Sequence, residues 1–216
     1  MHSPLRLYGY WRSSSTWRVR IALALKGLEA QHCPINLIQD GGQQHLPEHL
    51  ARNPQAQVPV LEHNGRWLSQ SLAICEYLDT LSTQGRLLPT DPWQAAQIRS
   101  LAQVIACDIQ PLQNLRVLQT VEDWGIADHR AQWASHWISQ GLTALNNRVE
   151  HAADLLNTAN CPGLFELCLI PQLFNARRFD IDVAAYPALE AIEQSCMQQD
   201  AFVSTRPENQ PEATSA

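Results

Sequence analysis

Three serines and a threonine, Ser13 to Thr16, run directly into Trp17-Arg18-Val19-Arg20-Ile21-Ala22-Leu23-Ala24-Leu25-Lys26-Gly27. Hydroxyl side chains at a helix start accept from its unpaired N–H groups, and they can also donate to an anion bound there. Those N–H groups and the positive end of the helix dipole converge on one spot, which is the geometry of a thiolate or anion site. Val19, Ala22, Leu23 and Leu25 recur at helical spacing, so the spacing predicts an amphipathic helix with Arg18 and Lys26 off its apolar face and Gly27 closing it. Leu5-Arg6-Leu7-Tyr8 alternates as a half-buried strand does, and Gly9 to Arg12 form the turn between the two. Simple N-capping accounts for Ser13, Ser14, Ser15 and Thr16 equally well when they are read alone.

Other residue types with chemistry are spread along the chain. Gln70-Ser71 opens a helix after a strand, which makes Ser71 an N-cap and a second anion-binding candidate. Arg12, Arg116 and Arg178 are candidates for gripping a carboxylate, because a guanidinium offers it two parallel donors. Arg12 precedes the serine cluster and Arg178 follows an apolar helix, so these two are preferred. Gln110 and Asn114, four residues apart, are predicted to share one helix face that looks across the domain interface. His45 and His49 also stand four apart, but Pro47 between them argues against the helix a metal pair needs; they are predicted to be solvated loop histidines, with no metal site.

The positioning elements change character midway. After the first helix, 32–37 reads as a strand whose Pro34 places it near an edge, and 38–57 is a long polar connection. Val58 to Glu62 and Arg66 to Ser69 are strands joined by an Asn64-Gly65 hairpin, followed by a helix from Ser71 with Ala73, Ile74, Tyr77, Leu78 and Leu81 facing inward. Beyond 85–92 every long segment is helix-like: 94–118, 129–156, 164–178 with a kink expected at Pro171, and 187–197. The order predicts a thioredoxin-like α/β unit over 1–82, an all-helical unit over 91–206 and a mobile tail over 207–216.

Composition narrows the function. The chain has 216 residues, a formal net charge of −6 and no basic cluster, which argues against nucleic acid. Its six cysteines are scattered without a Cys-x-x-Cys pair or signal peptide, so neither a disulfide framework nor zinc is indicated and a reducing cytoplasm is expected. No apolar run is long enough for a membrane span, and the seven tryptophans are expected mostly in the core.

The Ser-Ser-x-x-x-Arg-Val-Arg-Ile-Ala-Leu pattern, Asn53-Pro54, Val58-Pro59, Gln70-Ser71-Leu72-Ala73-Ile74, Ile109 to Leu115, and Cys168-Leu169-Ile170-Pro171-Gln172 through Asn175-Ala176-Arg177-Arg178-Phe179 occur in an order that resembles the zeta class of glutathione transferases, the maleylacetoacetate isomerase group. The resemblance covers nearly the whole chain and weakens between about 121 and 164. It implies glutathione as cofactor, with a hydroxyl of Ser13 first, and Ser14 second, donating to its sulfur. Ser71 and Gln70 would hold the γ-glutamyl carboxylate, the Val58 backbone would pair with the cysteinyl part, Pro59 would follow a cis peptide bond, and Gln44 would reach the glycine end. Gln110 and Asn114 are counted with the cofactor site.

The implied reaction is cis–trans isomerisation of a maleyl-type diacid, maleylacetoacetate to fumarylacetoacetate, in aromatic amino acid catabolism, by a homodimer. Conjugation or dehalogenation of small α-halo acids, maleylpyruvate isomerisation, and a non-catalytic interaction role remain open alternatives. Two departures stand out. Ser15 occupies a position where many members carry Cys, and Gly163 replaces the hydroxyl half of a capping box whose acidic half, Glu166, is kept.

Overall fold

A computed structural model of the chain describes residues 4–126, 129–151, 156 and 162–215. Two units emerge: residues up to Leu87 together with those from Gln199 onward, and Leu88–Gln198. The C-terminal residues therefore return to the first unit instead of ending the helical one.

In the first unit, β1 (Leu5–Gly9) pairs in parallel with β2 (Ala30–Pro34) and antiparallel with β3 (Val60–His63), which pairs antiparallel with β4 (Arg66–Ser69). The sheet order β2-β1-β3-β4 leaves β2 at an edge, where Pro34 costs no ladder hydrogen bond. Asn64 and Gly65 turn the hairpin with φ of 53° and 71°, the left-handed pair that an Asn-Gly turn supplies. The register Leu7↔Leu61 puts two fully buried leucines side by side in the sheet's centre.

Helix α1 (Ser14–Leu25) is not amphipathic. Every residue from Thr16 to Leu23 is buried, and Lys26 after it is 1% exposed. Its charges are matched inside: Lys26 Nζ donates to Asp79 at 2.7 Å and to the Gly85 carbonyl at 2.9 Å. Arg20 donates from Nε to the Thr205 carbonyl at 3.2 Å and from Nη2 to the Trp11 carbonyl at 2.9 Å. Burial draws the Arg20 pKa down to about 10, with Glu212 opposing the shift. The returning C-terminal segment covers α1: α9 (Asp200–Val203) carries fully buried Phe202, and Trp17 Nε1 donates to Thr205 Oγ1 at 3.0 Å. Within the 207–216 tail, expected to be mobile, the described residues 207–215 form short 3₁₀ turns, with Asn209 Nδ2 donating to the Val203 carbonyl at 2.7 Å. The 38–57 connection likewise contains a helix, α2 (Pro47–Arg52), because Pro47 takes the first helical position, where a missing N–H is harmless. Helix α3 (Ser71–Leu81) buries Ile74, Cys75 and Leu78, while Leu81 is exposed.

The helical unit contains α4 (Pro92–Gln103), α5 (Leu115–Val121), α6 (Arg130–Glu150), α7 (Leu164–Arg177) and α8 (Pro187–Cys196). The stretch 94–118 is not one helix: a π turn (Val104–Ile109) and a 3₁₀ turn (Gln110–Gln113) end α4 ahead of the extended Asn114, whose side chain caps α5 by accepting from the Arg116 N–H at 3.3 Å. Pro111 has no N–H to give a continuing helix, and the chain leaves helical geometry three residues later at Asn114. Helix α7 passes through Pro171 without ending, and nearly all of its residues are buried. At its start the Gly163 N–H donates to Glu166 Oε2 at 2.8 Å, so the acidic half of the capping box is made while glycine offers no side-chain half. Trp93 and Trp124 are 72% and 75% exposed, against the expectation of core tryptophans. Among the described residues no helix is long and apolar enough to cross a membrane, and no cluster of metal-ligating side chains occurs.

The approach of α1 to the sheet depends on Gly9, where an added Cβ would lie 2.3 Å from Thr16 Cγ2. Gly9→Ala is therefore expected to cost about 1–3 kcal/mol, the usual range for overpacking a filled interior. A fall in the urea midpoint at unchanged slope measures it; a parent-like midpoint contradicts the packing account.

Candidate active site

Ser13, in an extended conformation with φ −71° and ψ 122°, is the N-cap of α1. Its Oγ accepts from the Thr16 N–H at 3.3 Å, and its carbonyl accepts from the Trp17 N–H at 2.8 Å. Ser15 Oγ donates to the Val58 carbonyl at 3.3 Å and lies 3.1 Å from Ser13 Oγ. A hydroxyl has one proton, and Ser15 spends its own on Val58, so Ser13 is the donor in the pair. Ser15 thus ties the first turn of α1 to the loop before β3. Ser14 sits between them at the first helical position.

The Val58–Pro59 peptide is cis, as the resemblance implies. Its loop is held from the other side by the Gln57 carbonyl, which accepts from Asn53 Nδ2 at 2.9 Å and lies 3.0 Å from His49 Nε2. A carbonyl only accepts, so His49 carries its proton on Nε2. His49 is fully buried in α2, which corrects its reading as a solvated histidine; His45 is exposed.

A second helix start lies beside this loop. Gln70 precedes α3 with φ +71°, a left-handed conformation that is costly for a residue with a Cβ, and its Nε2 donates to Gln55 Oε1 at 3.0 Å. Ser71 follows, 7% exposed, and Arg18 Nη1 donates to its Oγ at 2.6 Å from a position that is itself only 1% exposed. With its oxygen occupied by the guanidinium, the Ser71 hydroxyl keeps its proton for another acceptor. An anion at this terminus meets the first N–H groups of α3, a donating hydroxyl and a buried positive charge behind them.

The remaining predicted residues are placed differently. Gln44 is 8% exposed rather than solvated: Nε2 reaches the Leu37 carbonyl at 3.4 Å, and Oε1 is buried with no partner among the described residues. A Cβ on Gly42 would lie within 2.7 Å of that amide, so the glycine makes room for it. The Arg12 guanidinium lies over the Trp11 ring, 5.4 Å from its centroid. Gln110, Asn114 and Arg178 belong to the helical unit. Gln110 and Asn114 do not share a helix face, since one opens a 3₁₀ turn and the other is an extended cap. Arg178 caps the end of α7 and donates from Nη1 to Asn175 Oδ1 at 3.1 Å.

The sequence reading assigns no site role to Arg18, His49, Asn53 or Gln55. Only the tight i, i+4 spacing of His49 and Asn53 on α2 gives a local signal; Arg18 and Gln55 show their roles through contacts distant in sequence. None of the protein's own thiols with a shifted pKa is prepared to act as a nucleophile, because burial pushes both Cys33 and Cys196 upward.

The arrangement of α1, the cis-proline loop and α3 has clear relatives. The family profile for the glutathione S-transferase N-terminal domain matches residues 3–80. The chain is 41% identical over 214 residues to a maleylacetoacetate isomerase of Pseudomonas aeruginosa, covering 98% of this chain and 100% of that one. Its fold is similar to a maleylacetoacetate isomerase from Anaeromyxobacter dehalogenans 2CP-1 solved with glutathione in its active site, at 40% identity and TM-score 0.86 over 99% of this chain and 100% of that one. It is also similar to a bacterial zeta-class maleyl pyruvate isomerase, at 32% identity and TM-score 0.87 over 95% and 98% of the two chains. Near-complete coverage at such identity means that the chain is an enzyme of the glutathione transferase family and belongs to its zeta class, the group of the maleylacetoacetate isomerases.

Proposed function

We propose that the protein catalyses glutathione-dependent cis–trans isomerisation of a maleyl-type diacid, with maleylacetoacetate as substrate and fumarylacetoacetate as product. The observation that carries this reading is the pair of helix starts, α1 and α3, linked by Arg18 to Ser71 on one side and by Ser15 to Val58 on the other. One anion site suits a thiolate and the other a carboxylate, and glutathione bears both. Glutathione, when bound, supplies a thiolate that adds to the electron-poor double bond and leaves again after rotation about the single bond so formed.

The chain's own groups prepare that chemistry. The Ser13 hydroxyl, now donating to Ser15, turns to a sulfur anion because an ionised acceptor outcompetes a neutral oxygen. Ser14 and the first-turn N–H groups add to the same stabilisation. A helix terminus contributes about 1 kcal/mol, which corresponds to a drop of roughly one unit in a thiol pKa. Ser71 and Gln70 hold the γ-glutamyl carboxylate, Val58 pairs its backbone with the cysteinyl residue, and Gln44 serves the glycine end. Gln110 and Asn114 remain assigned to the cofactor by the resemblance. Arg12, already oriented over Trp11, and Arg178 bind the substrate carboxylates and stabilise the enolate charge that develops.

A cytoplasmic homodimer acting in aromatic amino acid catabolism completes the proposal. The resemblance supports it, as does half-exposed Trp67 on the outer strand β4, which offers apolar surface for a second copy.

Incubation with maleylacetoacetate and glutathione is expected to yield fumarylacetoacetate with the glutathione concentration unchanged. Stoichiometric loss of glutathione points to conjugation, turnover of maleylpyruvate alone moves the substrate, and inactivity on all of them sinks the enzymatic reading. Ser71→Ala is expected to weaken glutathione binding by about tenfold, the cost of one hydrogen bond to a charged group; calorimetric titration reads it, and parent affinity contradicts the carboxylate assignment. Arg178→Met is expected to lower kcat/KM for the diacid by about tenfold to a hundredfold while leaving glutathione affinity intact; unchanged kinetics would return Arg178 to a surface role.

A further inference from the structure

Arg178 is held by more than its place at the end of α7. Its backbone N–H donates to the Asn175 carbonyl at 3.1 Å, and its Nη1 donates to Asn175 Oδ1, also at 3.1 Å. Two more amides stand behind Asn175. Asn175 Nδ2 donates to Gln113 Oε1 at 2.5 Å, and Gln113 Nε2 donates to Gln172 Oε1 at 2.6 Å. Gln113, Asn175 and Gln172 are 6%, 9% and 1% exposed, so this is a polar chain inside the helical unit.

The chain has a direction, and the guanidinium at its near end sets it. Gln172 Nε2 is buried with no hydrogen-bond partner among the described residues. Turning all three amides over would reverse each bond and pair that nitrogen, but it would leave Gln172 Oε1 buried and unpaired in its place. It would also bring the Asn175 NH₂ against the Arg178 guanidinium, and a guanidinium has donors only. An orphaned buried donor costs free energy. Either direction leaves one amide atom of Gln172 unpaired, so the guanidinium, which needs an acceptor, decides that Asn175 presents its oxygen to Arg178.

Helix α6 pins the ends of this arrangement. Trp133 Nε1 donates to the Leu112 carbonyl at 2.8 Å, fixing the turn that carries Gln113, and Ser135 Oγ donates to the Phe179 carbonyl at 3.1 Å, fixing the residue after Arg178.

We propose that Gln172, Gln113 and Asn175 form a directional amide relay that holds the Arg178 guanidinium in the orientation needed to receive a substrate carboxylate, so that Gln113 and Asn175 are positioning residues for the isomerase. The inference rests on the proposed carboxylate-binding role of Arg178. Its physical basis is preorganisation: a long, flexible side chain fixed before the substrate arrives loses less freedom on binding it.

The test is a double-mutant cycle on the full-length enzyme with maleylacetoacetate. Gln113→Met keeps the volume but cannot accept from Asn175, and it is expected to lower kcat/KM about tenfold, mainly through KM, with the glutathione Kd unchanged. In the Arg178→Met background the same change is expected to have no further effect. Gln113→Glu accepts from Asn175 and lets Gln172 turn its NH₂ inward, so it is expected to recover activity to within about twofold of the parent. Should Gln113→Met not fold, Gln172→Met, which removes the acceptor at the far end, takes its place with the same expectations. Equal losses from Gln113→Met in both backgrounds, or a Gln113→Glu variant as impaired as Gln113→Met, overturn the relay while leaving Arg178 in place. Parent-like kinetics of Arg178→Met alone overturn the carboxylate reading, and the relay with it.

Discussion

The site depends on the burial of α1 on every side from Thr16 to Leu23. A helix with one wet face could present Ser13 and Ser14 at its start, but it could not also carry Arg18 inward to Ser71. Burial on all sides forces each charge of the helix to find a partner, because a cation removed from water without one is costly. Lys26 takes Asp79, Arg20 takes the Thr205 and Trp11 carbonyls, and Arg18 takes Ser71. The first two matches fasten the helix to the end of α3 and to the returning C-terminal segment. The third couples the helix body to the start of α3, so one helix positions both ends of the proposed glutathione site.

This coupling explains why the serine at position 15 is compatible with the proposed chemistry. Its hydroxyl joins the α1 start to the Val58 carbonyl, a contact that needs a hydrogen-bond donor. The nucleophilic sulfur comes from glutathione, so the protein needs no thiol of its own at that position. Gly9 serves the same end from the sheet side, since it admits Thr16 and lets the first turn of α1 lie close to β1.

Much of the frame was legible in the sequence because it is local. The Asn64-Gly65 turn, the edge strand marked by Pro34 and the hydroxyl cap before Trp17 each follow from a few adjacent residues. The amphipathic reading of α1 failed because a periodic apolar stripe does not reveal that the opposite face is also covered, here by α3 and by residues after Gln199. The long-helix reading of 94–118 failed where the π turn at Val104–Ile109 and the 3₁₀ turn at Gln110–Gln113 lead to extended Asn114, and with it went the shared face of Gln110 and Asn114. Pro47 misled in the opposite sense: a proline at a helix's first position starts the helix it would break farther in. Arg18–Ser71, Gln55–Gln70 and the chain from Gln113 to Arg178 join residues far apart in sequence, so no spacing announces them.

The proposed chemistry requires that the α1 terminus stabilise a sulfur anion. Titrating the bound glutathione thiol by its ultraviolet thiolate absorbance, with the parent protein beside Ser13→Ala, measures this directly. The expected result is a thiol pKa about one unit or more below the ordinary value of roughly 8.5, moving back toward it in the variant. A bound thiol that titrates like free glutathione in the parent protein would contradict the central claim.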